Sequence, residues 1–144
     1  ARDYDAMKMA ATASVHLALM AETITALLFI FGGRSMMAVF TTDAAVIDLG
    51  AKLCVCVGIF QIFDGLQAVG IGILRGLTDV NVIMRNAFIA YICVTLPLGY
   101  VLAFPCGFGA VGIWAAFSVG LGLAAVLHFA RYYRVRRAKF DALQ

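Results

Sequence analysis

Hydrophobic residues in this chain fall into four long blocks, at about 10–31, 53–74, 87–104 and 110–130. About 20 apolar residues let an α-helix cross a hydrocarbon core about 30 Å thick. Each block therefore predicts a transmembrane helix, the third being the shortest. No Asp, Glu, Lys or Arg occurs from Asn86 to Ala130, a run too long for one helix and long enough for two. Pro105-Cys106-Gly107-Phe108-Gly109 breaks that run as a tight hairpin does. Inside a bilayer only helices and closed barrels satisfy their own backbones, and barrel strands would alternate in polarity, which these blocks do not. The predicted fold is all-α: four antiparallel transmembrane helices in a single membrane domain over 1–144, with 131–144 as a basic tail.

Composition agrees. Of the 144 residues, 64% are hydrophobic and 13% charged, against about 25% charged in soluble domains, and the mean hydropathy is +0.98. These values exclude a soluble enzyme or binding module and indicate an integral membrane protein. No basic stretch, short apolar run and small-residue cleavage site open the chain, so no signal peptide is expected. Ala1 is not a start methionine, which suggests a chain processed, trimmed or cut from a longer one.

Charge orients the helices. Arg2, Lys8, Arg75, Arg85, Arg131, Arg134, Arg136, Arg137 and Lys139 fall on one side if four spans alternate, and Arg34 and Lys52 on the other. Such a bias places both termini in the cytoplasm of a multi-pass protein, here of the plasma (inner) membrane. The RYYRVRR tail reads as a topological anchor with tyrosines at the interface and an affinity for anionic lipid. Nucleic-acid binding is not expected of it.

One residue stands out chemically. Asp64 is the only charge in Leu53–Leu74. A lone carboxylate at membrane depth costs about 2.5–3.5 kcal/mol on insertion scales, and such residues commonly bind a cation, carry a proton or touch a polar substrate. Gln61, Asp64, Ala68, Ile71 and Arg75 recur every three or four residues and form one stripe, with Gln67 beside it. A carboxylate flanked by two amides offers oxygen ligands to a hard cation such as sodium. If instead it is desolvated, it exchanges protons near neutral pH. Pairing with a basic residue that this chain does not contain is the structural alternative. On the first helix Ser14, Ala18, Glu22 and Ala26 share a small, polar face. Glu22 is the second intramembrane acid, either functional or paired or kept protonated within the bundle, and His16 reads as a packing residue.

Other features point to packing. Ala68/Gly72/Gly76 and Gly112/Ala116/Gly120/Ala124 form small-residue ridges for close helix approach. Pro97 predicts a kink in the third helix. Cys54, Cys56, Cys93 and Cys106 lack metal-site spacing and read as small apolar packers. No phosphate-binding glycine loop, Ser/His/Asp arrangement or zinc motif is present, so nothing suggests an enzyme or a cofactor.

Five segments in order carry a family resemblance. They are ARDYDAMKMAATA, VFTTDAAVIDLGAKL, FQIFDGLQAVGIGILRGLTD, YICVTLPLGYVLAF and GFGAVGIWAAFSVGL. Along its whole length the chain resembles helices nine to twelve of a MATE (multidrug and toxic compound extrusion) transporter. Its F-Q-x-x-D-x-x-Q…G-x-L-R-G-x-x-D run is similar to that family's tenth helix and exit. Position 78 is Thr where many members carry Gly.

The resemblance implies one part of a twelve-helix, two-lobe antiporter working by alternating access. In such a protein sodium or proton influx drives export of drugs and other organic cations. Asp64 matches the helix-ten acid that takes part in coupling, with Gln61, Gln67 and Glu22 as possible neighbours. A second acid of that site lies on helix seven, outside this chain. The expected partners are organic-cation substrates, membrane lipids and the preceding helices of the same transporter. Two alternatives remain open: a related flippase for lipid-linked sugars, or a small non-transporting four-helix membrane protein.

Overall fold

The computed structural model describes Tyr4–Asp141. Four helices in it are long and apolar enough to cross a membrane. α1 is Tyr4–Phe40 and α2 Ala44–Gly76. The third span begins as α3 (Val80–Ala87), widens to a π-helix over Phe88–Thr95 and resumes as α4 (Leu96–Ala103). α5 is Gly109–Asp141.

The turns follow their sequences. Asp43 caps α2 by accepting from the Ala45 and Val46 amides at 2.8 and 3.3 Å, which stops α1 from running on. Arg34 and Asp48 pair across the same hairpin. At the far end of α2 the Thr78 amide donates to the Arg75 carbonyl at 2.9 Å, and the Asp79 amide to the Leu74 carbonyl at 3.0 Å. That double bond pattern is a Schellman cap, whose outer residue is left-handed. Thr78 has φ +62°, a backbone region that suits glycine and strains a β-branched residue. The Thr-for-Gly difference noted from sequence therefore falls on a helix cap. Gly107 and Gly109 take positive φ in the second hairpin, as the Pro-Cys-Gly-Phe-Gly run predicts.

Pro97 was expected to kink its helix. The observed distortion lies just before it, as a widened turn. The Leu96 amide reaches back five residues to the Tyr91 carbonyl. The Thr95 hydroxyl likewise donates to the Ala90 carbonyl at 2.9 Å. A proline cannot donate to the preceding turn, and a π register absorbs the mismatch.

α5 forms the core. Ala116 and Ala124 are fully buried, with Leu121 and Ala125 beside them. Gly112 lies so close to α4 that a Cβ would sit 2.7 Å from the Leu102 carbonyl carbon, and Gly120 receives the Thr95 side chain. This small-residue ridge is a packing seam. The Ala68/Gly72/Gly76 ridge is instead uncovered, with open space over both glycines. Among the described residues α1 packs against α2 alone. Met9, Leu17, Met20, Ile24, Leu28 and Phe31 project outward from it.

Candidate cation-coupling site

The α1/α2 crossing sets the depth of the two acids. Going down α2, Gly50 meets Met37, Gly58 meets Ile30 and the Ala26 carbonyl, and Gly65 meets Glu22. A Cβ on Gly65 would lie 2.6 Å from the Glu22 Cγ, so only glycine admits that side chain. Glu22 is half-buried on the residue that follows Asp64.

Asp64 lies on the open side of α2. At 3.6 residues per turn, Gln61 and Gln67 flank it at roughly 60° on either side. Asp64 is exposed while Gln67 is buried. Tyr91, in the π-helical stretch, donates its hydroxyl to the Gln67 Oε1 at 2.7 Å. Gln61 is half-buried, and its Oε1 is sealed from solvent without a hydrogen-bond partner. The structure thus joins Gln67 and Tyr91 by a hydrogen bond one turn along from Asp64, with Glu22 against the neighbouring Gly65 on the α1 side. His16 is apart from it, exposed, its Nδ1 paired with the Thr12 carbonyl at 2.8 Å.

One turn beyond Asp64 a groove of about 470 Å³ opens between α1 and α2, lined by Ala10, Ala11, Ser14, Ala68, Gly72 and Gly76. Its walls are almost entirely apolar. The four cysteines are free thiols. Among the described residues no three His, Cys, Asp or Glu gather as a metal cage.

The MatE family model matches residues 1–101. The chain belongs to the MatE family. A probable multidrug resistance protein NorM of Mesorhizobium japonicum is 49% identical over 92 residues, covering 64% of this chain and 20% of the relative. Proteins of the same description from Bacillus cereus and Xylella fastidiosa are each 34% identical over 137 residues. Those matches cover 95% of this chain and 30% and 29% of the relatives. The chain thus spans between a fifth and a third of the length of these relatives. It is a multi-pass membrane segment of a MatE protein, a family of transporters rather than enzymes.

Tyr91, Asn86 and His128 escaped sequence reading. None carries a formal charge at neutral pH, so a search for charges within apolar blocks passes over them. Each is the kind of polar side chain that a membrane interior holds only with a reason.

Proposed function

We propose that this segment belongs to a cation-coupled antiporter that exports drugs or other organic cations by alternating access, with Asp64 as a coupling carboxylate. The observation carrying this reading is the placement of Asp64. It is the only charge in its apolar block, stands on the open side of α2, and is flanked by an ordered Tyr91–Gln67 pair. Membership of the MatE family and the names of the relatives favour the same reading. Linkage supplies the mechanism. Cation binding must favour one conformation over the other, or influx does no work on the substrate. An uncharged Asp64 would let the lobes rock without that bias. The nine-to-two distribution of Lys and Arg favours cytoplasmic termini in an inner membrane.

The alternatives fit less well. A flippase for a pyrophosphate-linked lipid would need basic residues at mid-depth, and the Lys and Arg of this segment lie toward helix ends. A self-contained four-helix protein would be expected to cover its ridges, yet Ala68, Gly72 and Gly76 stand open. The test is Asp64→Asn in the complete protein, read as drug accumulation in cells matched for membrane expression. Loss of export supports the reading, and export at the parental rate removes Asp64 from the mechanism.

A further inference from the structure

The buried face of the third span has one irregular step. Its buried residues are Val82 and Asn86 on α3, Ala90 and Thr95 on the π-helical stretch, and Gly99 and Ala103 on α4. They recur every four residues except between Ala90 and Thr95, where the interval is five. An α-helix turns about 100° per residue, so one additional residue would swing one half of the span off its seam. Both halves are held on α5. A Cβ on Gly99 would lie 3.5 Å from the Ala116 Cβ, and α3 packs on the same helix. The wide turn between them takes up the additional residue.

Thr95 holds this step. Hydroxyls inside helices bond carbonyls three or four residues back, as Thr12 does to Lys8, Thr25 to Ala21 and Ser118 to Trp114. The Thr95 hydroxyl reaches five back, donating to the Ala90 carbonyl at 2.9 Å. It lies beside the equally long backbone bond from the Leu96 amide to the Tyr91 carbonyl. Its seat is Gly120 on α5, where a Cβ would overlap the hydroxyl and come within 3.4 Å of the Ala90 carbonyl oxygen. Thr95 is 3% exposed and Ala90 is fully buried. The hydroxyl, the carbonyl it meets and the gap that admits both form one tertiary contact specific to the wide register.

Tyr91 follows Ala90 directly, so it points about 100° round the helix from the α5 seam. There its hydroxyl donates to the buried Gln67 Oε1 on α2 at 2.7 Å. We infer that Thr95 is a positioning residue of the coupling site: seated on Gly120, it fixes the register that carries the Tyr91 hydroxyl onto Gln67, one turn from Asp64. The assignment rests on Asp64 being the coupling carboxylate. It extends the site to Thr95 and Gly120, two uncharged residues on two further helices.

The consequence is geometric. If the stretch closed to a regular α-helix while α4 stayed on α5, the residues before Thr95 would turn by about 100°. Tyr91 would then leave Gln67. The Gln67 amide would lose the bond that orients it, and α2 would lose a polar tie to the third span near the level of Asp64. An ion site depends on neighbours whose rotamers are locked by packing and hydrogen bonds behind them. Thr95 acts through Tyr91 and not on the ion, so its loss weakens cation binding more than the turnover that follows.

The test is a double-mutant cycle in the complete transporter, reconstituted in proteoliposomes, with ethidium transport followed as the driving proton or sodium concentration is varied. Thr95→Val keeps the shape and removes the hydroxyl. It is expected to raise the cation concentration for half-maximal transport several-fold with little change in maximal rate, and Thr95→Ser to restore the parental value. Tyr91→Phe is expected to give a similar shift. The double variant, Thr95→Val with Tyr91→Phe, should be no worse than Tyr91→Phe alone, because both break one chain of contacts. Melting temperatures in detergent report folding, and Thr95→Ala, smaller and free of clash, is the second probe if Thr95→Val does not fold. Shifts that multiply in the double variant overturn the inference, as does parental cation dependence in a folded Thr95→Val or Thr95→Ala protein. Asp64→Asn separates the two readings. If it responds to the gradient as the parent does, the coupling assignment fails and the positioning role with it. If it loses that response while Thr95→Val and Tyr91→Phe act independently, only the positioning role fails.

Discussion

At the scale of single residues, the site depends on what each polar group can reach. Asp64 keeps its open position because the adjacent Gly65 takes Glu22 and the Gln67 face turns inward to Tyr91. Tyr91→Phe removes the one donor to the Gln67 Oε1 among the described residues and leaves that buried oxygen without it. Hydrogen bonds within membrane proteins average about 0.6 kcal/mol and reach about 1.7. A loss of about 1 kcal/mol in stability is therefore expected, seen as a small drop in the melting temperature of the purified protein. Export should fall several-fold, less than for Asp64→Asn, because the carboxylate itself remains. Unchanged export would make the Tyr91–Gln67 bond a packing feature. The acid was legible from sequence because a charge in an apolar block is conspicuous. Tyr91 was not, because its partner lies 24 residues away on another helix.

At the scale of helices, the apolar blocks locate the spans, but local geometry decides their ends and distortions. The helices continue past the apolar blocks, since polar sequence at the interface remains free to be helical. Pro97 announces a distortion. Its form, a π turn upstream, depends on Thr95 bonding to Ala90 and seating on Gly120, a tertiary contact with no signal in the third span alone. The α2 exit gives a sharper case. Thr78 holds the left-handed position of a Schellman cap, where a β-branched residue costs about 1 kcal/mol relative to glycine. Thr78→Gly is expected to raise thermal stability by about that amount, partly offset by the entropy glycine loses on folding. Drug export should stay unchanged, because the cap lies outside the Asp64 group. A destabilised Thr78→Gly protein would mean that the threonine makes a compensating contact in the complete transporter.

At the scale of the whole molecule, the segment has one finished seam and one unfinished side. α5 packs tightly against α2 and α4, while among the described residues α1 touches α2 alone and presents a row of large apolar residues outward. The groove beside Gly72 opens on that same unfinished side. Sequence could read the ridges as packing surfaces, but not which of them is filled within these four helices. The physical expectation is that the segment expressed alone inserts in the membrane and exports nothing. Co-expression with the remaining part of the complete protein should restore export, measured as ethidium accumulation in cells. Export by the segment alone would contradict the account of an incomplete lobe. The central claim is that a cation gradient acts through Asp64. The most direct measurement imposes an inward proton or sodium gradient across proteoliposomes holding the complete protein and records ethidium transport with Asp64 and with Asp64→Asn. The account predicts gradient-dependent transport in the parent and transport indifferent to the gradient in the variant. A variant that still responds to the gradient as the parent does would contradict it.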